Sequence, residues 1–218
     1  MSPEPLPVDL PALAARLWAR AASASRVIVG LCGAPGAGKS TLAGLLVEEL
    51  NRDAPGSAVA VPMDGFHLAA SVIAADERAG RRGAPDTFDP DGYAALLGRL
   101  RQRREDVVYA PEYRRELEDP VAGAIAVPRG CPVIVTEGNY LLHPDPAWRR
   151  VRDQLDEVWF VEAPSEELRV RRLIERHERF GKDPDHARRH AFGSDERNAA
   201  LVATHRDGAD VVLRWPAW

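Results

Sequence analysis

With 218 residues, 45% of them hydrophobic, the chain can bury one good core, and its length favours a single domain. A formal net charge of −4 argues against a nucleic-acid partner, whose binders carry a basic balance. No apolar run approaches membrane-spanning length, and the proline-rich, acidic start MSPEPLPVDL lacks the regions of a secretion signal, so a cytoplasmic, soluble protein without a membrane partner is expected.

Apolar residues at helical spacing from Val8 to Ala22 predict a leading helix within residues 1–25. The β-branched run RVIVGLCG, Arg26 to Gly33, predicts a buried strand that meets a glycine turn. KSTLAGLLVEELNR follows as a helix with Leu42, Leu45, Leu46 and Leu50 on one face. SAVAVPMDGF reads as a second strand running into a loop. Glycine, proline and charge from Glu77 to Asp91 predict an exposed, mobile loop. Tyr93 to Arg104 is helical again, and the irregular stretch from Val107 to Gly130 is read as a small hairpin. CPVIVTEG, DEVWFVEA and ADVVLRW are further strands, with two charged helices, about Ser165 to Phe180 and Asp185 to Thr204, before the last. Alternating strands and helices predict a parallel sheet with helices on both faces. Cys32 and Cys131 stand within or beside apolar runs, as buried free thiols do.

GAPGAGKST, Gly33 to Thr41, matches the phosphate-loop pattern at every fixed position, between a strand and a helix. The glycines let backbone N–H groups turn inward onto phosphate oxygens, and the helix start adds its dipole. Lys39 is one of only two lysines, the other being Lys182, in a chain that otherwise uses arginine. A compact ammonium on a flexible stem reaches under a folded loop where a planar guanidinium fits poorly. The expected nucleotide-binding set is Gly33, Ala34, Gly36, Ala37, Gly38, Lys39, Ser40 and Thr41, with the Ser40 hydroxyl on Mg²⁺. No Asn-Lys-x-Asp motif of GTPases and no LSGGQ-like signature accompanies the loop. Small-molecule phosphoryl transfer is what remains.

Asp64, in MDGFH, falls at the carboxyl edge of the sheet, where it can take the proton of an attacking hydroxyl; an Asx turn through Asp64 and Gly65 is the plain alternative. For His67, substrate contact and an ordinary loop histidine are equally open. Glu137 ends VIVTEG, where an acid can hold the Mg²⁺ shell or merely cap a turn; Asn139 beyond it is left open. On ELRVRRLIERHERFGK, Arg169, Arg172 and Arg176 share one helix face that could close over the nucleotide, although such a helix also suits a solvated surface. Lys182 is a candidate lid residue.

GAPGAGKST, MDGFH, RRGAPDTFD, EGNYLL and the arginine-rich helix, in this order, resemble the phosphoribulokinase/uridine kinase family of P-loop kinases, nearest to its pantothenate kinase-like members. The likeness runs from Val27 to Val212. It implies a three-layer α/β/α P-loop fold with a five-stranded, mainly parallel sheet, a substrate loop over 76–91 and a helical lid over 165–183. By similarity Asp64 stands for the catalytic base, Glu137 for the Mg²⁺-associated acid and Arg172 or a neighbour for the lid arginine. Arg169 and Arg176 join the nucleotide set, and Asn198 resembles an asparagine that pantothenate kinases keep near their substrate. Arg82 and Gly83 stand where uridine kinases place an acid that grips ribose, and APEYRRELEDP replaces the pantothenate kinases' substrate segment. Arg82, Tyr113, Arg114 and Arg115 are therefore candidates to meet an anionic or polyhydroxylated acceptor. ATP and Mg²⁺ are the implied cofactors, and a sugar, pantothenate-like compound or nucleoside the hydroxyl acceptor. The alternatives are a nucleoside kinase or an ATP-binding regulatory or transport-associated module, and the sequence leaves room for a homodimer.

Overall fold

The computed structural model describes residues 4–75 and 78–216. A parallel sheet in the order β1-β8-β7-β2-β6-β3 is formed by β1 (Leu6–Pro7), β2 (Val27–Cys32), β3 (Ala58–Pro62), β6 (Val133–Gly138), β7 (Glu157–Glu162) and β8 (Val211–Arg214). The expectation of five strands is corrected to six, because the proline-rich start adds Leu6 and Pro7 to the edge beside Leu213 and Arg214. Proline is tolerated there, since an edge strand needs no second partner.

The central strands are buried on both faces, which is why they read as unbroken apolar runs. Alternate residues feed opposite cores. Val27, Val29 and Leu31 of β2 pack under α1 (Leu10–Ala21) and α2 (Lys39–Asn51) with Leu17, Leu42 and Leu46. Ile28 and Ile134 face the other way, towards α4 (Pro90–Gln102) and α5 (Pro146–Arg152) with Tyr93, Leu97 and Trp148. α5 and the four-residue α3 (Ala70–Ile73) escaped the sequence reading, being too short for a clear period.

Register decides where chemistry can occur. Cys32 pairs with Gly138 and Pro62 with Glu137, so β2, β6 and β3 end side by side. The glycine loop, Asn139 and the MDGF turn (Met63–Phe66) therefore leave the sheet at one edge. The irregular stretch forms an antiparallel hairpin of β4 (Val107–Arg114) and β5 (Asp119–Pro128), with a register shift between Ala110 and Glu112.

α6 (Glu166–Arg179) is capped by Ser165, whose hydroxyl accepts from the Leu168 N–H. The second expected charged helix is divided into α7 (Pro184–His190), a π turn (Ala191–Asp195) and α8 (Glu196–Ala203). Such turns bulge a helix and recur at functional sites. The part of the 77–91 loop that is described is more ordered than expected: Arg81 pairs with Asp86, and Thr87 and Phe88 are buried. Glu77 lies outside the described residues. Among those residues no helix is long and apolar enough to cross a membrane, and both cysteines are free and buried.

Candidate active site

β2 hands the chain to the glycine loop, and Gly38 opens α2 in the left-handed region at φ 96°. A β-carbon at Gly38 would come within 2.6 Å of the Trp215 indole nitrogen, so both conformation and space demand glycine. Lys39 folds back beneath the loop, only 7% exposed, where its Nζ donates to the Ala34 carbonyl (3.1 Å) and the Asn139 Oδ1 (2.7 Å). Burial pulls its basicity down, while Glu137 works the other way. Among the described residues this ammonium has no ion pair, so its charge is held in place by neutral acceptors that an anion can displace. Thr41 lines the cavity above the loop with Gly36 and Gly38, whereas Ala37 is buried. Gly33 presses against the Val161 carbonyl at the strand end.

Glu137, at the tip of β6, is 7% exposed and accepts a 2.9 Å hydrogen bond from the Ser40 hydroxyl. Burial and then the nearby Asp64 carboxylate push its pKa up. A hydroxyl beside a carboxylate suits a hard cation, and among the described residues no cluster of three or more His, Cys, Asp or Glu could cage one. Ser40 and Glu137 thus fit Mg²⁺ that takes its remaining ligands from phosphate and water.

The raised pKa has a consequence for stability. A carboxyl whose folded pKa exceeds its unfolded one is penalised once ionised, so the penalty grows as pH rises through the folded value and is complete above it. Glu137→Gln removes that penalty. Without nucleotide the variant is expected to melt about 2–4 °C above the wild-type protein at neutral pH, and to gain less from MgATP. Calorimetry with and without MgATP checks this; a lower melting temperature without nucleotide would contradict it.

Asp64 sits in the MDGF turn. A β-carbon at Gly65 would come within 2.4 Å of the Pro111 carbonyl, so glycine is what lets the β4–β5 hairpin close onto this turn. The Asp64 carboxylate makes no Asx-turn hydrogen bond among the described residues; it faces the cleft, 3.7 Å from the Arg115 guanidinium. His67 hydrogen-bonds through Nδ1 to the Asp64 carbonyl (2.9 Å) and stacks between Phe88 and Tyr113. Its pKa is lowered by burial, which keeps the ring neutral.

Of the expected acceptor residues, Arg82, Tyr113 and Asn198 line the same cleft. Arg82 lies over the Tyr113 ring at 5.6 Å and is held by Asp119 at 3.0 Å and by the Glu118 carbonyl. Asn198 donates to the Gly83 carbonyl at 3.2 Å, and Tyr140 donates to the same carbonyl, so the RRGAPDTFD loop is tied to α8 and to the turn that follows β6. Arg114 departs from expectation. It ends β4 bound to Glu112 (2.8 Å) and is absent from the cleft lining, while its neighbour Arg115 enters. Adjacent residues leaving a strand point to opposite sides, so only one of the two can face inward.

The arginine face of α6 does turn toward the phosphate loop, but its members differ. Arg169 is 3% exposed, pairs with Glu166 and Glu196, and donates to the Pro35 carbonyl at 3.0 Å. It fastens helix to loop, and with its donors so occupied it does not present them to a nucleotide. Arg172 lines the 580 Å³ cavity over Gly36, Gly38 and Thr41. Arg176 lines both that cavity and the 190 Å³ cleft holding Asp64, and it has no hydrogen bond or ion pair among the described residues. Burial, and then Arg115 beside it, lowers its basicity. Lys182 reaches the cleft too, 4.0 Å from Glu118. Phe180, Glu118, His177, His190, Ser194 and Asp195 also line it without any sequence signal, since each belongs to a solvated-looking charged segment.

No family model matches the chain. It is 39% identical over 152 residues to the uncharacterised protein YggC of Escherichia coli, a match covering 69% of this chain and 62% of that protein. It thus spans less than two thirds of that relative's length. The ATP-dependent kinase-like protein notR' of Aspergillus versicolor is 39% identical over 132 residues, 57% of this chain and 76% of the relative. A Silicibacter crystal structure, provisionally named a fructose transport system kinase, superposes with a TM-score of 0.81 at 34% identity, over 96% of this chain and all of that one. Sequence and fold therefore agree, and the chain belongs to the phosphoribulokinase/uridine kinase family of P-loop kinases.

Proposed function

We propose that the chain moves the γ-phosphate of ATP to a hydroxyl of a small metabolite in the cytoplasm. The observation that carries this reading is a single cleft in which a buried Lys39, without an ion pair among the described residues, and the Ser40–Glu137 pair face Asp64. Ser40 and Glu137 would hold Mg²⁺, which would supply positive charge against that of the phosphates. The loop amides and Lys39 hold the phosphates. Asp64 accepts the acceptor's hydroxyl proton as its oxygen bonds to the γ-phosphorus and the bond to the β-phosphate oxygen breaks, releasing ADP. Arg176, at the meeting of the two cavities, faces the charge that spreads over the transferred group.

The acceptor end favours a sugar or pantothenate-like compound over a nucleoside. Arg82 occupies the loop position from which an acid would grip ribose hydroxyls, and Asp86 nearby is paired with Arg81. The ADP release rate, measured with and without a panel of sugars, nucleosides and pantothenate, tests the proposal. A clear stimulation by one hydroxyl compound is expected. A flat, low rate across a broad panel would favour an ATP-binding regulatory module instead.

A further inference from the structure

Arg115 takes no part in the mechanism above, yet it stands at its centre. The hairpin carries it to the point where the two cavities meet, so it lines both the Asp64 cleft and the chamber over the phosphate loop. Its guanidinium rests against the Phe180 ring at 5.5 Å and the Tyr113 ring at 6.0 Å. The Asp64 carboxylate, 3.7 Å away, is its only ion pair among the described residues, and it donates no hydrogen bond to any of them. A guanidinium carries five N–H donors in a fixed fork suited to paired oxygens. Arg176 stands close by, and among the described residues it has no hydrogen bond or ion pair. With its donors unengaged by any described residue, Arg115 can meet an anion seated over the phosphate loop, while Arg176 borders the same junction of the two cavities.

The contact with Asp64 makes the arrangement more than another phosphate ligand. Asp64 must be free to take a proton, and a cation resting on it holds its charge in place. We propose that Arg115 alternates between two partners: it pairs with Asp64 while the cleft lacks ATP, and moves onto the γ-phosphate when MgATP binds, which releases the carboxylate for the acceptor. ATP binding thereby arms the base. This rests on the phosphotransferase reading of the cleft, and it assigns a role to a residue of the hairpin, not of the phosphate loop or lid. The two aromatic rings supply a surface along which the flat guanidinium can turn without losing its packing.

A double-mutant cycle read by MgATP affinity tests it, using titration calorimetry on the full chain with a non-hydrolysable ATP analogue. Arg115→Gln is expected to weaken binding about tenfold, the loss of one charge-assisted contact. Asp64→Asn is expected to tighten binding about threefold, because Arg115 no longer has to leave a partner. That gain should vanish when Arg115→Gln is already present. Arg115→Lys, which keeps the charge and loses the fork, should recover part of the affinity. The Arg115 side chain is 36% exposed, so its replacement should leave the melting temperature without nucleotide unchanged. Wild-type affinity in Arg115→Gln would overturn the proposal. So would an Asp64→Asn gain that persists in the double variant, since relief of repulsion between carboxylate and phosphates would then explain it. Lys39→Ala separates the two levels of inference: if it too binds like the wild-type protein, the nucleotide lies elsewhere and the phosphotransferase reading fails with the proposal.

Discussion

Replacing Asp64 by Asn should lower turnover about 10²–10⁴-fold on a verified acceptor, the usual worth of general-base catalysis, while ATP remains bound. The substitution keeps the shape and removes the capacity to hold a proton. It disturbs little else, because among the described residues the carboxylate makes no hydrogen bond to the turn and its one ion pair, with Arg115, spans 3.7 Å. Steady-state kinetics with saturating ATP and acceptor measure the effect. Full turnover in this variant would mean that another group takes the proton or that deprotonation does not limit the rate. A loss of ATP affinity would instead mark Asp64 as part of the nucleotide site.

The second large effect is expected at Arg176. Losing a preorganised donor to developing transition-state charge costs about 10²–10³ in turnover, so Arg176→Gln should fall in that range with the ATP dissociation constant little changed. Arg172→Gln should behave differently. Arg172 reaches only the chamber over the glycine loop, whereas Arg176 also borders the Asp64 cleft. Losing a contact with the nucleotide that is made in ground and transition states alike raises KM for ATP and spares kcat. Side-by-side kinetics of the two variants decide which α6 arginine serves the transferred group. A larger kcat loss in Arg172→Gln would reverse the assignment. Arg169 belongs in neither class, since its donors are taken by Glu166, Glu196 and the Pro35 carbonyl.

Much of this was open to reading from the chain alone, for a physical reason. Buried parallel strands must be continuous apolar runs, so β2, β6 and β7 are visible without any neighbour. A phosphate loop must combine glycines, a lysine and a hydroxyl at set spacing on the start of a helix, and these are near-neighbour requirements. Strand ends follow from the same runs, which is how Asp64 and Glu137 come to be singled out. The opposite holds for the arginines. Arg114 and Arg115 are adjacent and identical in type, and only the way the hairpin closes on Gly65 decides which one meets Asp64. The divided second charged helix and the ordering of the 78–91 loop are equally invisible, because each depends on contacts made after folding.

The sequence by itself determined the phosphate loop, its buried lysine, the alternation of strands and helices, and two acids at strand ends, because these depend on residue type and short spacing. The tertiary structure alone decided partners: Lys39 meets Asn139 across 100 residues and Arg169 meets Pro35 across 134. It also set the sixth strand, the inward turn of Arg115 and the place of Arg176 where the two cavities meet. A side chain's partner is chosen by whatever the fold brings near it, and in this sheet those groups come from strands and helices far apart along the chain.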